Sequence, residues 1–161
     1  MKKIGKAKAL YDQATLIALK KKPDRQAMIA LLKQAVELGS HEAARALGDW
    51  ARRGVGGKRN PKLAAAYFRK AAELGSEVGA YEFAHCLEIG FGLRKNASRA
   101  RRAFLLSSLL GDENAPFELR RCLFFGIGGA PDRQLAEALG KHFTALGRFS
   151  DLSKQRKNKK R

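Results

Sequence analysis

One segment occurs four times in this chain, and each copy starts 36 residues after the previous one. Every copy begins with Asp or Asn and ends with Gly, as in NPKLAAAYFRKAAELG at residues 60–75. A fixed period of ~20 to 50 residues is typical of arrays in which each repeat packs only against its neighbours. The spacing therefore predicts a stacked repeat array, with copies at residues 24–39, 60–75, 96–111 and 132–147.

Each repeat is predicted to contain two antiparallel helices. In the second repeat, apolar residues recur at helical spacing over 41–53, and a glycine-rich turn follows at 54–57. Asn60 is a suitable N-cap for the second helix, Pro61 suits its first position, and Gly75 suits a left-handed C-cap. The pattern predicts an all-α solenoid of about four antiparallel helix pairs.

The repeat domain is predicted to occupy residues 1–147, and residues 148–161 are predicted to form a basic tail. The first repeat is less regular, since no glycine turn follows its first helix, which we predict over 7–20. Atypical end repeats are expected in a capped array. We place Leu16, Leu63 and Leu135 on the apolar sides of their helices.

The chain is strongly basic. It has 33 Lys and Arg against 15 Asp and Glu, for a formal charge of +18, and residues 1–22 and 148–161 contribute +6 each. Such a charge affects association and steering rather than the fold. It favours an acidic or polyanionic partner.

The N-terminus and the cysteines favour a cytoplasmic protein. Lys6, Lys8 and Asp12 interrupt any apolar stretch, so no membrane span is predicted. Cys86 and Cys122 are 36 residues apart and therefore occupy the same position in successive repeats. We expect both to be buried, reduced thiols, which suits a reducing compartment.

No residue set in the sequence indicates catalysis, and we predict no metal or cofactor. His41, His85 and His142 occupy three different repeat positions, and no metal-binding or nucleophile motif is present. The turns at 54–59 and 126–131 superficially resemble phosphate loops, but they lack the Gly-Lys-Ser/Thr ending and no strand precedes them. Their recurrence in each repeat favours a structural role. An enzyme is not indicated.

Several residues resemble the Sel-one-like repeat, a relative of the tetratricopeptide repeat. They are Leu47-Gly48, the Gly54-x-Gly56 turn, Asn60, Ala64 and the segment 67–75. The resemblance covers about residues 5–147. It implies a right-handed helical solenoid that acts as a non-catalytic scaffold for binding other proteins. The sequence departs from the family pattern at Ala51, Leu87 and Leu123, where an aromatic residue is usual, and at Gly140, which replaces a large apolar residue.

The concave surface, lined by the first helix of each pair, is the predicted binding site, because solenoids usually bind along the inner curve. Its mixture of Tyr, Phe and Arg is typical of protein interfaces. We expect Arg45, Tyr81 and Arg121 to be exposed. For Phe124 and Phe125, and for Ile89, packing against a neighbouring second helix remains an open alternative. The predicted site comprises Arg45, Asp49, Arg52, Arg53, Tyr81, His85, Glu88, Phe117, Arg121 and Phe124.

A basic cluster surrounds the predicted helix start near Asn96. Positive charge is disfavoured there by the helix macrodipole, so the cluster suits an acidic partner or a phosphate. The alternative is a solvated convex surface. The cluster comprises Arg94, Lys95, Arg99, Arg101 and Arg102.

These features lead to two functional hypotheses. The first is a protein–protein interaction module that binds an acidic protein in its concave groove; from size alone, one such protein is the immunity protein of an intracellular toxin. The second is a nucleic-acid-associated protein that uses its basic ends, at 20–22 and 157–161. The second hypothesis predicts binding that weakens steeply with salt.

Overall fold

The computed structural model describes residues 2–145, and all the regular secondary structure in this range is α-helical. Each helix packs against the next one along the chain, and α3 also contacts α5. The predicted solenoid of four helix pairs is confirmed. The predicted tail at 148–161, together with Gly147, lies outside the described residues. The helices are α1 (Lys2–Ala18), α2 (Arg25–Glu37), α3 (His41–Arg53), α4 (Pro61–Glu73), α5 (Glu77–Ile89), α6 (Ala97–Leu110), α7 (Ala115–Phe125) and α8 (Arg133–Ala145).

The recurring Asp and Asn residues cap the second helix of each pair. Asn60 Oδ1 accepts a hydrogen bond from the backbone N–H of Leu63 at 3.0 Å, and Asp24, Asn96 and Asp132 cap α2, α6 and α8 in the same way. These bonds satisfy N–H groups that have no partner within the helix. The caps therefore explain why Asp or Asn recurs at the start of the second helix in every pair.

The two glycines of each turn have different structural tasks. Gly90 ends α5 with φ of 80°, a left-handed conformation that favours glycine. Gly92, with φ of 73°, rests on the start of α4, where a Cβ would overlap the carbonyl oxygen of Pro61. Gly128 rests on Ala97 of α6 in the same manner. The repeat itself therefore requires these turns, as their recurrence predicted.

The core runs between successive helix pairs. Phe68 and Phe104 are fully buried in it, and small residues on the first helices, such as Ala84, allow the helices to approach closely. Both cysteines are buried in this core. Burial raises the pKa of Cys86 to about 11 and also raises the pKa of Cys122.

The first helix differs from its prediction. It spans Lys2–Ala18 rather than 7–20, and Leu16 is 65% exposed. Ala7 and Ala14, seven residues apart, form its buried side, with Leu10 half-buried beside them. Leu16 lies about 200° around the helix from Ala14, because each residue advances by about 100°. The prediction for Leu16 was therefore wrong.

Candidate functional site

The first helices α3 and α5 are joined by an ion pair. Arg52 on α3 donates to Glu82 on α5 at 2.9 Å and to Asp49 on its own helix at 2.5 Å. Asp49 also accepts a hydrogen bond from Arg45 at 3.3 Å. Three predicted site residues, Arg45, Asp49 and Arg52, are thus brought together, and their charges are largely balanced within the group. Arg53 is exposed beside them.

A second ion-pair group joins α5 to α7. Arg121 on α7 donates to Glu118 on the same helix at 2.8 Å and to Glu88 on α5. Its hydrogen bond to Glu88 is the main reason that the pKa of Arg121 is raised. Glu88 occupies the repeat position that Arg52 holds in the previous repeat. In this second group, the carboxylates of Glu88 and Glu118 share the guanidinium of Arg121. His85 lies 3.7 Å from Glu88.

Tyr81 is less exposed than the sequence predicted. Its ring packs edge-on against His85 at 4.6 Å and against the buried Phe104 at 5.8 Å. Burial raises the pKa of its hydroxyl, and nearby carboxylates, led by Glu118, add to this effect. Tyr81 therefore belongs partly to the core, because Phe104 of α6 reaches it from the second helix of the same pair.

The aromatic residues at the end of α7 are exposed. Phe124 is 37% exposed and Phe125 is 70% exposed, and their rings meet edge-on at 5.0 Å. Ile89, which occupies the position of Phe125 in the previous repeat, is 67% exposed. Phe125 and Ile89 are therefore exposed rather than packed against a neighbouring second helix, the alternative that the sequence left open. Phe117, at the start of α7, is also partly exposed.

Charge is divided unequally between the two sets of helices. The first helices α1, α3, α5 and α7 contain nine basic and seven acidic residues. The second helices α2, α4, α6 and α8 contain ten basic and three acidic residues. No second helix has an acidic residue in its first turn, whereas α3, α5 and α7 each have one. The positive charge of the described residues therefore lies largely on the second-helix side.

Three grooves separate successive second helices at the ends nearest the glycine turns. The N-terminal groove, about 280 Å³, lies between α2 and α4; the middle groove, about 440 Å³, between α4 and α6; and the C-terminal groove, about 900 Å³, between α6 and α8. Lys33, Arg69 and Leu105 hold one repeat position and line the three grooves in turn. Leu63, Arg99 and Leu135 hold a second such position. Leu63 and Leu135, which the sequence placed on the apolar sides of their helices, are accordingly half-exposed groove residues.

The predicted basic cluster is divided between two of these grooves. Arg94, Lys95 and Arg99 line the middle groove, and Arg101 and Arg102 line the C-terminal groove on the other side of α6. Sequence reasoning missed Leu105 as a surface residue. The signal was present in the register, since Leu105 stands where the other repeats have Lys33 and Arg69.

The described residues contain no group of three or more His, Cys, Asp or Glu side chains that could hold a metal ion. Within residues 2–145, no helix is long and apolar enough to cross a bilayer. What the geometry offers is an extended surface of helices with exposed aromatic residues, ion pairs and basic grooves.

Stacked helix pairs, glycine turns and this surface define a helical-repeat scaffold. The Sel1 repeat pattern matches residues 41–76, 78–112 and 117–139, which together exceed half of the chain. The chain therefore belongs to the Sel1 repeat family, whose members generally serve in protein–protein interaction without catalysis. The first helix pair lies outside the matched residues, in keeping with its irregular sequence. A sequence comparison with curated proteins found no match.

Solved structures share the fold of this chain. A protective antigen of uropathogenic Escherichia coli with an SLR fold superposes with a TM-score of 0.79 and 22% identity, over 88% of this chain and 31% of that one. A Sel1 repeat protein from Oxalobacter formigenes superposes with a TM-score of 0.74 and 22% identity, over 88% of this chain and 58% of that one. Helicobacter pylori cysteine rich protein B superposes with a TM-score of 0.63 and 25% identity, over 73% of this chain and 89% of that one. The chain thus spans about a third and somewhat over half of the first two structures.

Proposed function

We propose that this chain is a non-catalytic scaffold that binds a protein partner along the face formed by α3, α5 and α7. The observation that carries the proposal is the pair of inter-helix ion pairs, Arg52 with Glu82 and Arg121 with Glu88. They hold three successive first helices side by side. A surface fixed before binding loses less conformational entropy when a partner docks.

The anchors of this surface are the exposed side chains of Ile89, Phe124 and Phe125. Large aromatic side chains supply much of the binding energy at protein interfaces. Arg133 lies over the Phe124 ring at 5.5 Å from the centroid, which places a positive charge beside the anchor. The partner surface that suits this group presents apolar side chains next to carboxylates. The overall charge of +18 would speed the approach of such an acidic protein.

The two narrower hypotheses from the sequence stay predictions. An immunity-protein role requires the partner to be a toxin, which identification of the partner would reveal. The nucleic-acid hypothesis relies on the chain ends, and the tail at 157–161 lies outside the described residues. Binding of generic RNA and DNA, measured from low to moderate salt, distinguishes it from a specific protein interface.

The test is affinity capture from the source cell with the full chain, identification of the retained protein by mass spectrometry, and titration of the purified pair. We expect Phe124→Ala combined with Phe125→Ala to weaken the affinity by about tenfold or more, as expected for anchor residues. Leu16→Ala combined with Leu19→Ala is the matched control, because these residues are also exposed apolar side chains but lie at α1. Equal affinity of the Phe124/Phe125 variant and the original chain would exclude this face as the binding surface.

A further inference from the structure

The grooves of the second-helix side have different linings although they hold the same place in each repeat. Two repeat positions account for most of the difference. They carry Lys33 and Leu63 in the N-terminal groove, Arg69 and Arg99 in the middle groove, and Leu105 and Leu135 in the C-terminal groove. The fold therefore forms each groove. The side chains at these two positions determine whether its lining is basic or apolar.

The middle groove is a site of concentrated positive charge. Its lining includes Arg69, Arg94, Lys95 and Arg99 and no carboxylate. Within the part of the chain that the structure describes, Arg94, Lys95 and Arg99 form no ion pair, whereas Arg69 pairs with Glu73. Arg99 also lies in the first turn of α6, where a positive charge costs stability. Arg99 lies over the Phe83 ring at 6.0 Å from its centroid. Neither this contact nor helix stability explains why four positive charges are gathered in one groove.

The C-terminal groove combines an apolar floor with a basic rim. Leu105, Leu119, Leu123 and Leu135 contribute the apolar lining, and Arg101 and Arg102 stand on the α6 side. Arg101 is held in place by a hydrogen bond of 2.9 Å to the carbonyl oxygen of Ala130. A groove of about 900 Å³ is large enough for several side chains of a bound segment.

We propose that the middle and C-terminal grooves together bind one acidic polypeptide segment that crosses α6. Its carboxylates lie against Arg94, Lys95 and Arg99, and its apolar side chains enter the groove lined by Leu105 and Leu135. Charge complementarity and the apolar floor both select this occupant. A nucleic acid is disfavoured because no aromatic ring for base stacking lines either groove. This surface is separate from the α3–α5–α7 face and goes beyond the function proposed for it.

The test uses the full chain and fluorescein-labelled probes in fluorescence anisotropy at physiological salt. The principal probe is a peptide that repeats Glu-Glu-Leu-Leu three times. The comparison probes repeat Glu-Glu-Ser-Ser three times or are uridine oligonucleotides of equal charge. We expect the Glu-Leu peptide to bind about tenfold or more tightly than either comparison probe, because only it uses the apolar groove. Equal binding of all three would reduce the site to general polyanion attraction and overturn the proposal.

Two variants test the two grooves separately. Arg94→Glu with Arg99→Glu should weaken binding of the Glu-Leu peptide by about tenfold or more. Lys6→Glu with Lys8→Glu on α1 changes the net charge equally and should have little effect; an equal loss would show that net charge alone acts. Leu105→Lys with Leu135→Arg introduces residues that other repeats carry at these positions. It should weaken binding although it adds positive charge, and tighter binding would overturn the proposal.

Failure of this proposal is distinguishable from failure of the first one. Ile89→Ala combined with Phe125→Ala alters the α3–α5–α7 face and leaves the residues that line both grooves unchanged. Its affinity for the Glu-Leu peptide should therefore equal that of the original chain. A loss of peptide affinity in that variant would show that the peptide binds the α3–α5–α7 face and would overturn the inference.

Discussion

Arg121 on α7 donates a hydrogen bond to Glu88 on α5, and the same guanidinium holds Glu118 on its own helix. Glu88 and Glu118 are both largely shielded from solvent. Two shielded carboxylates near one another repel unless a cation lies between them. This one side chain therefore compensates the charge between the third and fourth helix pairs, beside the apolar core that they share.

Replacing Arg121 by Leu should lower the free energy of unfolding by roughly 1–3 kcal/mol, between the values for exposed and buried ion pairs. The loss comes mostly from the carboxylates left without a partner. Adding Glu118→Gln should restore part of it, because it removes one of the two carboxylates that shared the guanidinium. Urea unfolding of the single and double variants measures this. A double variant that is no more stable than the single variant would contradict the explanation.

The close contact of Gly92 with Pro61 predicts a second result. Gly92→Ala should destabilise the chain by roughly 2 kcal/mol or more, because alanine is strained in the left-handed region and its Cβ would overlap backbone. Gly57→Ala is the control, since nothing lies within 4 Å of a Cβ there and its φ is not in that region. The control should be neutral or more stable by up to about 1 kcal/mol. Equal unfolding midpoints for both variants would show that the turn is not tightly constrained.

The Cys86 thiol gives a prediction about pH. Burial raises its pKa from about 9 to about 11, so the unfolded chain loses this proton before the folded chain does. The contribution to stability is complete below pH 9 and is lost as the pH rises through 11. In Cys86→Ala the decline of stability over this range should be shallower. At pH 8, iodoacetamide should modify Cys86 at least about 100-fold more slowly in the folded chain than in urea. Equal rates would show that the thiol is accessible.

The unfavourable charges of the second helices give a fourth prediction. Lys62 lies exposed in the first turn of α4, which contains no acidic residue. Lys62→Glu should raise the free energy of unfolding by about 0.3–1 kcal/mol, since a negative charge complements the helix N-terminus. Lys70→Glu, in the last turn of the same helix, should lower the free energy of unfolding. Thermal unfolding at low salt measures both, and a shift of the same sign in both variants would exclude the dipole as the cause.

The fold was predictable because its determinants are local in sequence. The caps at Asp24 and Asn60 and the glycines that end the helices recur at a fixed spacing, and this was enough to place seven of the eight helices closely. The position of Leu16 was not predictable in the same way. Its helix has no glycine turn after it, so the apolar pattern alone did not reveal which side Ala7 and Ala14 would bury.

The site was less predictable because it depends on contacts between repeats. Tyr81 appeared exposed from its own helix, but Phe104 of α6 covers part of its ring. The bond of Arg121 to Glu88 joins residues 33 apart, and neither helix alone indicates it. The basic cluster around Asn96 appeared as one surface in the sequence, whereas α6 divides it between two grooves.

Two glycine turns rest on the backbone of the second helix of the preceding pair, Gly92 on Pro61 and Gly128 on Ala97, whereas Gly56 meets the side chain of Ile29. The joints at Gly92 and Gly128 are thus made by backbone and do not depend on the side chains that face solvent. Duplication or loss of one 36-residue unit would preserve every such joint. The outer residues are therefore free to diversify from unit to unit, so that a lengthened chain would acquire a new groove of independent specificity with each added unit.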